Sequence, residues 1–143
     1  MIIPAFVRVG SVEYEVKMSD TPLIQDGTQL LGLCDYYSHT IFIDNTMQDE
    51  QSQEITFLHE LTHAMLFERK LHLEQYVEYN VMEFIVDTIA FALHQVVLDN
   101  PEVFVDGEAL ADLLKDMTPT KVFTEKEVEE LKEEIKEEME GDK

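Results

Sequence analysis

Residues 49–69 read DEQSQEITFLHELTHAMLFER, with apolar side chains recurring at the spacing of an α-helix. His59 and His63 lie four residues apart, so a helix places both imidazoles on one face, one turn apart. Such a pair can bind one zinc ion at the usual zinc–nitrogen distance of about 2.0–2.1 Å. Glu60 would stand beside the metal, where its carboxylate can take a proton from water without binding the ion. The segment therefore predicts a helix that carries a catalytic metal.

A second helix is predicted over residues 74–98, and Asn100-Pro101 ends it. From residue 81 onward it is apolar nearly all round, which is typical of a buried central helix. Glu83 and Asp87 interrupt it on one face, and buried carboxylates need partners. If the two helices pack antiparallel, one carboxylate can complete the metal ligands while the other accepts the free N–H of a ligating histidine. Two histidines, one carboxylate and a water make the open coordination of a catalytic zinc site, with one ion per chain.

Other ligands and other metals remain open. His72, in the connection after the first helix, is the rival third ligand. Glu83 is preferred because a buried carboxylate needs a cation more than a loop histidine does. His94 lies about 16 Å beyond Glu83 along the helix axis, too far to bind the same ion, and is expected at the edge of the core. Two imidazoles and a carboxylate also suit iron or cobalt.

The predicted fold is of the α+β class, because strands precede the metal helix and helices follow it. Residues 3–18 form two strands joined at Gly10-Ser11, and residues 33–44 form a hairpin around Ser38-His39. Pro22, Gly27 and Gly32 mark the stretch between them as a loop or short helix. The expected architecture is a small zincin-like domain: a short antiparallel or mixed sheet packed on the long active-site helix and a second buried helix, with C-terminal helices.

Two further helices are predicted near the C-terminus. One covers residues 108–117, and the other opens at Thr124-Glu125-Lys126-Glu127, which matches a capping box. Apolar residues of the last helix recur at spacings of three and four, on an otherwise acidic surface. The expected division is a metallopeptidase-like domain over residues 1–120 and an acidic amphipathic helix over residues 121–143.

The formal net charge of −21 restricts the classes of partner. It repels nucleic acids and anionic membranes and favours a basic protein or peptide substrate, although acidity also serves solubility alone. The single cysteine, Cys34, excludes an intramolecular disulfide and a cysteine-based zinc finger. The N-terminal apolar run is too short for a secretory signal, and no stretch is expected to reach the roughly 20 apolar residues that span a bilayer. The expected location is therefore the cytoplasm.

Two motifs carry a resemblance to known metallopeptidases. His59–His63 with Glu83 and Asp87 resembles the gluzincin pattern of HExxH followed by ExxxD on a second helix. Residues 32–36, Thr40–Asp44 and residues 57–63 resemble the ImmA/IrrE family of bacterial and phage metallopeptidases, with similarity over about residues 30–95. The resemblance implies His59, His63 and Glu83 as zinc ligands, Glu60 as general base and Asp87 as partner of a ligating histidine. It also implies cleavage of peptide bonds, with repressor-like proteins among the family's targets.

Peptide hydrolysis also needs a donor for the negatively charged oxygen of the tetrahedral intermediate. Tyr79 and Tyr76 precede Glu83 on its helix, and Tyr36, Tyr37 and His39 lie in the preceding hairpin; these candidates stay unranked. The strand Thr40–Asp44 is expected to align an extended substrate by edge pairing. Two other functions remain open: a non-catalytic module stapled by zinc, and an acidic DNA mimic that inhibits a nucleic-acid-binding protein.

Overall fold

Six short strands precede the first helix in the computed structural model, which describes residues 1–109, 111–112 and 124–141. Four of them form a mixed sheet in the order β1–β2–β6–β5. These strands are β1 (Phe6–Val9), β2 (Val12–Ser19), β5 (Gly32–Asp35) and β6 (Thr40–Asp44). The two hairpins predicted from the alternating pattern, β1–β2 and β5–β6, are both present as antiparallel pairs.

The stretch between these hairpins differs from its prediction as a loop or short helix. It forms a separate antiparallel hairpin of β3 (Leu23–Gln25) and β4 (Thr28–Leu30). Asp26 and Gly27 join the two strands with φ values of 51° and 78°. Two successive residues with positive φ make the tight turn that suits the twist of a hairpin, and Asp-Gly is a favoured pair for it.

The expectation that Thr40–Asp44 offers a free edge to a substrate is wrong. β6 lies inside the sheet, where it pairs in parallel with β2 and antiparallel with β5. The physical reason is that residues 20–39 connect β2 to β6 by a crossover long enough for the two strands to pair in parallel. The outer strand beside β6 is therefore β5.

Helix α1 (Glu50–Glu68) agrees with its prediction to within one residue at each end. It begins where the side chain of Asp49 accepts a hydrogen bond from the Ser52 amide at 2.8 Å, which satisfies one free N–H of the first turn. It ends before Lys70, whose φ of 60° breaks the helical path. Phe57, Leu58 and Ala64 are buried and belong to the same core as the sheet residues Tyr14, Ile41 and Ile43. The core therefore fixes the orientation of the helix that carries His59 and His63.

Helix α2 (Tyr79–Asp99) begins five residues later than predicted, because residues Leu73–Gln75 form a short 3-10 turn first. Its apolar composition does not make it a buried helix. Only Val86, Ala90 and His94 are buried, whereas Phe84 is 71% exposed and Phe91 is 58% exposed. Periodicity failed here because apolar residues on both faces do not reveal which face a neighbouring element covers.

The expectation that no segment is long and apolar enough to span a bilayer also needs correction. By length and composition α2 meets both conditions. The core helix of a soluble protein meets the same conditions, so the property does not assign this helix to a membrane.

A buried polar contact joins the first half of α1 to the last third of α2. The His94 ring donates from Nε2 to Glu54 Oε2 at 2.7 Å, and the Met1 amino group donates to Glu54 Oε1 at 2.9 Å. Both side chains are almost fully buried. His94 is thus a core residue with a charged partner, more enclosed than the core-edge position expected for it. The contact satisfies a carboxylate that would otherwise be costly to bury.

The chain divides into two units, Met1–Phe104 and Val105–Lys143, so the first ends before the expected boundary at residue 120. The second unit contains α3 (Glu125–Gly141). Its capping box is confirmed: the Thr124 amide donates to Glu127 Oε2 at 2.8 Å and the Glu127 amide donates to Thr124 Oγ1 at 3.4 Å. The helix predicted over residues 108–117 lies for its greater part outside the described residues. Strands and helices together confirm the α+β class.

Candidate metal centre and cleft

Three side chains from α1 and α2 converge on one point. His59 Nε2 and His63 Nε2 are 3.1 Å apart. His59 Nε2 lies 3.2 Å from Glu83 Oε2, and His63 Nε2 lies 3.2 Å from Glu83 Oε1. The helical spacing of four residues sets the first distance, and the packing of α2 against α1 sets the other two. These three residues could hold a metal ion.

The distances fit a small divalent cation. Two ligands in a tetrahedral shell with bonds of 2.0–2.1 Å lie about 3.3 Å apart. The observed separations of 3.1–3.2 Å are close to that value. Burial lowers the pKa of His63, which favours the neutral imidazole that binds metals. The separations between the donor atoms and the protonation state of His63 therefore both fit a small divalent cation.

Asp87 sets the orientation of the first histidine. Its Oδ1 accepts a hydrogen bond from His59 Nδ1 at 2.7 Å. Because Nδ1 carries the proton, the opposite nitrogen, Nε2, directs its lone pair toward the point on which His63 and Glu83 also converge. The position of Asp87, one turn after Glu83 on α2, is the arrangement that the paired carboxylates predicted.

Glu60 occupies a tight and nearly closed position under β5. The nearby backbone of Cys34 exerts a small lowering effect on the pKa of Glu60. A Cβ atom at Gly32 would lie 2.8 Å from Glu60 Cγ and 2.6 Å from Thr56 Cγ2, so only glycine fits there. Burial, and secondarily the negative charge of Glu83, raise the pKa of Glu60 to about 8. A carboxylate in such surroundings can exchange a proton near neutral pH.

A cleft of about 940 Å³ runs past these residues. Its walls come from α1, α2, β5 and the connection between the two helices. The lining includes the three candidate ligands, Glu60, Asp87, and residues 30–34. The described part of the chain contributes no lysine or arginine to this lining.

Some of the candidate oxyanion donors line the cleft, and the others lie outside it. Tyr79 and Tyr36 line the cleft, and the charge of Glu83 contributes to a raised pKa at both hydroxyls. Tyr76 and Tyr37 are exposed outside it. His39 lies in the β5–β6 turn, with its ring 5.3 Å from that of Tyr14. Only the first pair is brought near the metal centre.

His72, the rival ligand, lies in the cleft but not in the three-residue group. Its Nδ1 faces Glu74 Oε1 at 3.5 Å. Three other residues of the site carried no sequence signal that identified them: the sequence predicts Gly32 in a loop, Cys34 in a hairpin and Glu74 as the first residue of a helix. Their roles depend on contacts between distant segments, which local patterns do not contain.

Comparison with models of protein families, with curated proteins and with solved structures finds no match to this chain.

Proposed function

We propose that this protein is a zinc-dependent peptidase that hydrolyses peptide bonds of a protein substrate, of the kind that the ImmA/IrrE resemblance implies. The observation that carries the proposal is the convergence of His59, His63 and Glu83 at metal-ligand separations, with Glu60 beside them in an open cleft. A structural metal site has no reason to keep an ionisable residue at its side and a channel to solvent, whereas a hydrolytic site needs both.

Each residue of the site has a role in this proposal. A zinc ion, when bound, supplies Lewis acidity that makes water acidic near neutral pH and stabilises negative charge on oxygen. Glu60 accepts a proton from the attacking water and later delivers that proton to the amine of the leaving peptide. Asp87 keeps the proton of His59 on Nδ1. Tyr79 and Tyr36 are the candidate tyrosines that line the cleft, and either hydroxyl could donate to the carbonyl oxygen.

The outer edge of β5 can align the substrate backbone. The Asp44 amide donates to the Leu31 carbonyl at 2.8 Å, and Gly32 faces Ile43. In an antiparallel pair the hydrogen-bonded positions alternate, so the backbone groups of Gly32 and Cys34 point away from β6. Gly32 and Cys34 also line the cleft, so these outward backbone groups are available to an extended peptide. A peptide bound in this way would lie beside the proposed general base.

The proposal is tested by metal analysis and cleavage of a mixed peptide library, read by mass spectrometry. We expect about one zinc per chain in the parent and in Glu60→Gln, with cleavage reduced by about 10²–10⁴-fold in that variant. His59→Ala and Glu83→Ala should lose zinc and activity together. Chelation should abolish cleavage, and added zinc should restore it.

The matched control is Glu50→Gln, the same change on an exposed residue of α1 outside the cleft. It should retain both zinc and activity. Cleavage by Glu60→Gln at the parent rate would refute Glu60 as the base. One bound zinc with no cleavage of any peptide would instead favour a binding module stapled by the metal.

A further inference from the structure

The cleft continues beyond His63 into a subsite with aromatic walls. Tyr36 stacks on Phe67 with ring centroids 4.2 Å apart and an interplanar angle of 10°. The His72 ring meets Phe67 edge-on at 5.8 Å. All three rings line the cleft, and they come from the β5–β6 turn, the end of α1 and the connection to α2. Tertiary packing has therefore gathered three rings beside the metal centre.

A carboxylate without a role in hydrolysis lies at this subsite. Glu74 lines the cleft, its side chain is 59% exposed, and its closest ionic partner among the described residues is His72 at 3.5 Å. The other cleft carboxylates are accounted for, since Glu60 is the proposed base, Glu83 a candidate ligand and Asp87 the partner of His59. Burial is the largest cause of the raised pKa of Tyr36, and the charges of Cys34, Glu60, Glu74 and Glu83 add to it, so its ring lies within electrostatic range of the candidate metal centre and of Glu74.

We propose that Tyr36, Phe67 and Glu74 form a subsite for a basic side chain, arginine or lysine, next to the scissile bond of the substrate. The inference rests on the proposed peptidase function and names the class of residue that this cleft selects. The methylene groups of such a side chain pack on aromatic faces while its cationic end lies over a ring and near a carboxylate. Arginine suits the site best because its planar guanidinium both stacks and pairs with a carboxylate.

The proposed subsite would also disfavour acidic and apolar substrate side chains. An acidic substrate side chain at this position would face Glu74 with no lysine or arginine in the described lining to compensate it. Like charges at this position repel each other, whereas a cationic side chain is attracted. An apolar side chain would fill the aromatic part but leave Glu74 without a cation.

The test uses zinc-loaded full-length protein and one peptide series with arginine, norleucine, glutamine or glutamate placed in turn at each position flanking the cleaved bond. We expect kcat/KM for arginine to exceed that for norleucine by about tenfold or more at one position. Glu74→Gln should reduce this ratio by about tenfold, and Glu74→Lys should make glutamate the preferred residue at that position.

The control is Glu78, four residues away, exposed and outside the cleft lining. Glu78→Gln and Glu78→Lys make the same charge changes and should leave the preference unaltered. An equal preference in the parent and in Glu74→Gln would overturn the inference, as would a parent that favours norleucine. A shift of equal size in the Glu78 variants would attribute the preference to general charge and would overturn it too.

A binding measurement distinguishes a failure of the subsite proposal from a failure of the proposed peptidase function. The same peptides are titrated against Glu60→Gln and against Glu60→Gln combined with Glu74→Gln, with fluorescence anisotropy as readout. Tighter binding of the arginine peptide that is lost in the double variant supports the subsite even if the parent cleaves nothing. Cleavage by the parent without arginine selectivity leaves the peptidase standing and overturns the subsite. Absence of both cleavage and selective binding overturns both proposals.

Discussion

At the scale of single residues, the centre depends on how closely β5 approaches α1. Gly32 lies against Thr56 and Glu60 with no room for a side chain, so the backbone of β5 packs directly on the Glu60 side chain. The proposed general base is therefore confined by backbone contact from another element. A carboxylate held in this way keeps its orientation without a charged partner that would lower its basicity.

Replacement of Gly32 by alanine tests this contact. The added methyl group would overlap Thr56 and Glu60, so the carboxylate must move by several tenths of an ångström or more. We expect activity to fall by about 10–100-fold while the zinc content stays near one per chain. Overpacking should also lower the free energy of unfolding by about 1–3 kcal/mol.

Activity, metal content and thermal unfolding check this prediction together. Gly107→Ala is the control, because a Cβ there meets no atom within 4 Å. Unchanged activity and stability in Gly32→Ala would show that the approach of β5 to Glu60 is looser than the structure indicates.

At the scale of elements, the β3–β4 hairpin is tied to the sheet through Asp44, the last residue of β6. The buried Asp44 carboxylate accepts hydrogen bonds from the Gln29 side chain, the Leu23 amide, and the amide and hydroxyl of Thr46. These bonds, those from Thr46 foremost, lower the pKa of Asp44 from 3.8 to about 2. The ionised Asp44 side chain thus connects the β3–β4 hairpin, the sheet and the loop that leads to α1.

Asp44→Asn should lower Tm at neutral pH by roughly 5 °C, because an amide cannot accept all of these donors. The folded state binds the proton of Asp44 more weakly than the unfolded state does. The stabilisation is therefore complete well above pH 3.8 and is lost as pH falls toward about 2. The gap in Tm between parent and variant should narrow over this window. Thermal unfolding followed by circular dichroism between pH 7 and pH 2 measures the gap, and a constant gap would contradict the assignment.

At the scale of the whole molecule, the net charge of −21 creates a field that attracts cations over distances beyond direct contact. The cleft also favours cations, because its described lining contains no lysine or arginine. A basic substrate would therefore gain from two effects: the field of the whole molecule would attract it during approach, and the charges of the cleft would stabilise it once bound. The first effect weakens with salt because the screening length falls below about 10 Å above 0.1 M ionic strength.

The salt dependence of cleavage tests the long-range attraction between the protein and a basic substrate. Raising the ionic strength from about 0.05 M to about 0.5 M should lower kcat/KM several-fold for an arginine-containing peptide. A glutamine-containing peptide of otherwise identical sequence should change little. Steady-state rates at several salt concentrations provide the comparison, and parallel curves for the two peptides would show that the field of the molecule does not steer the substrate.

Local patterns in the sequence were sufficient for several features of this protein. The α1 boundaries, the two hairpins of the sheet and the capping box of α3 agree with prediction because capping residues and alternation act within a few neighbouring residues. The spacing of His59 and His63 placed two imidazoles on one helical face for the same reason. The charge of the chain follows from composition alone.

Only the tertiary structure decided how these parts meet. It brought Glu83 to the histidine pair, set His72 outside that group, left β5 rather than β6 at the edge beside the cleft, and exposed one face of α2. Each outcome depends on which surfaces of distant elements contact one another, and apolar periodicity is the same whichever neighbour covers a face. The sequence by itself determined the bounds of α1 and the residue types that could bind a metal, whereas long-range packing determined which residues share the site.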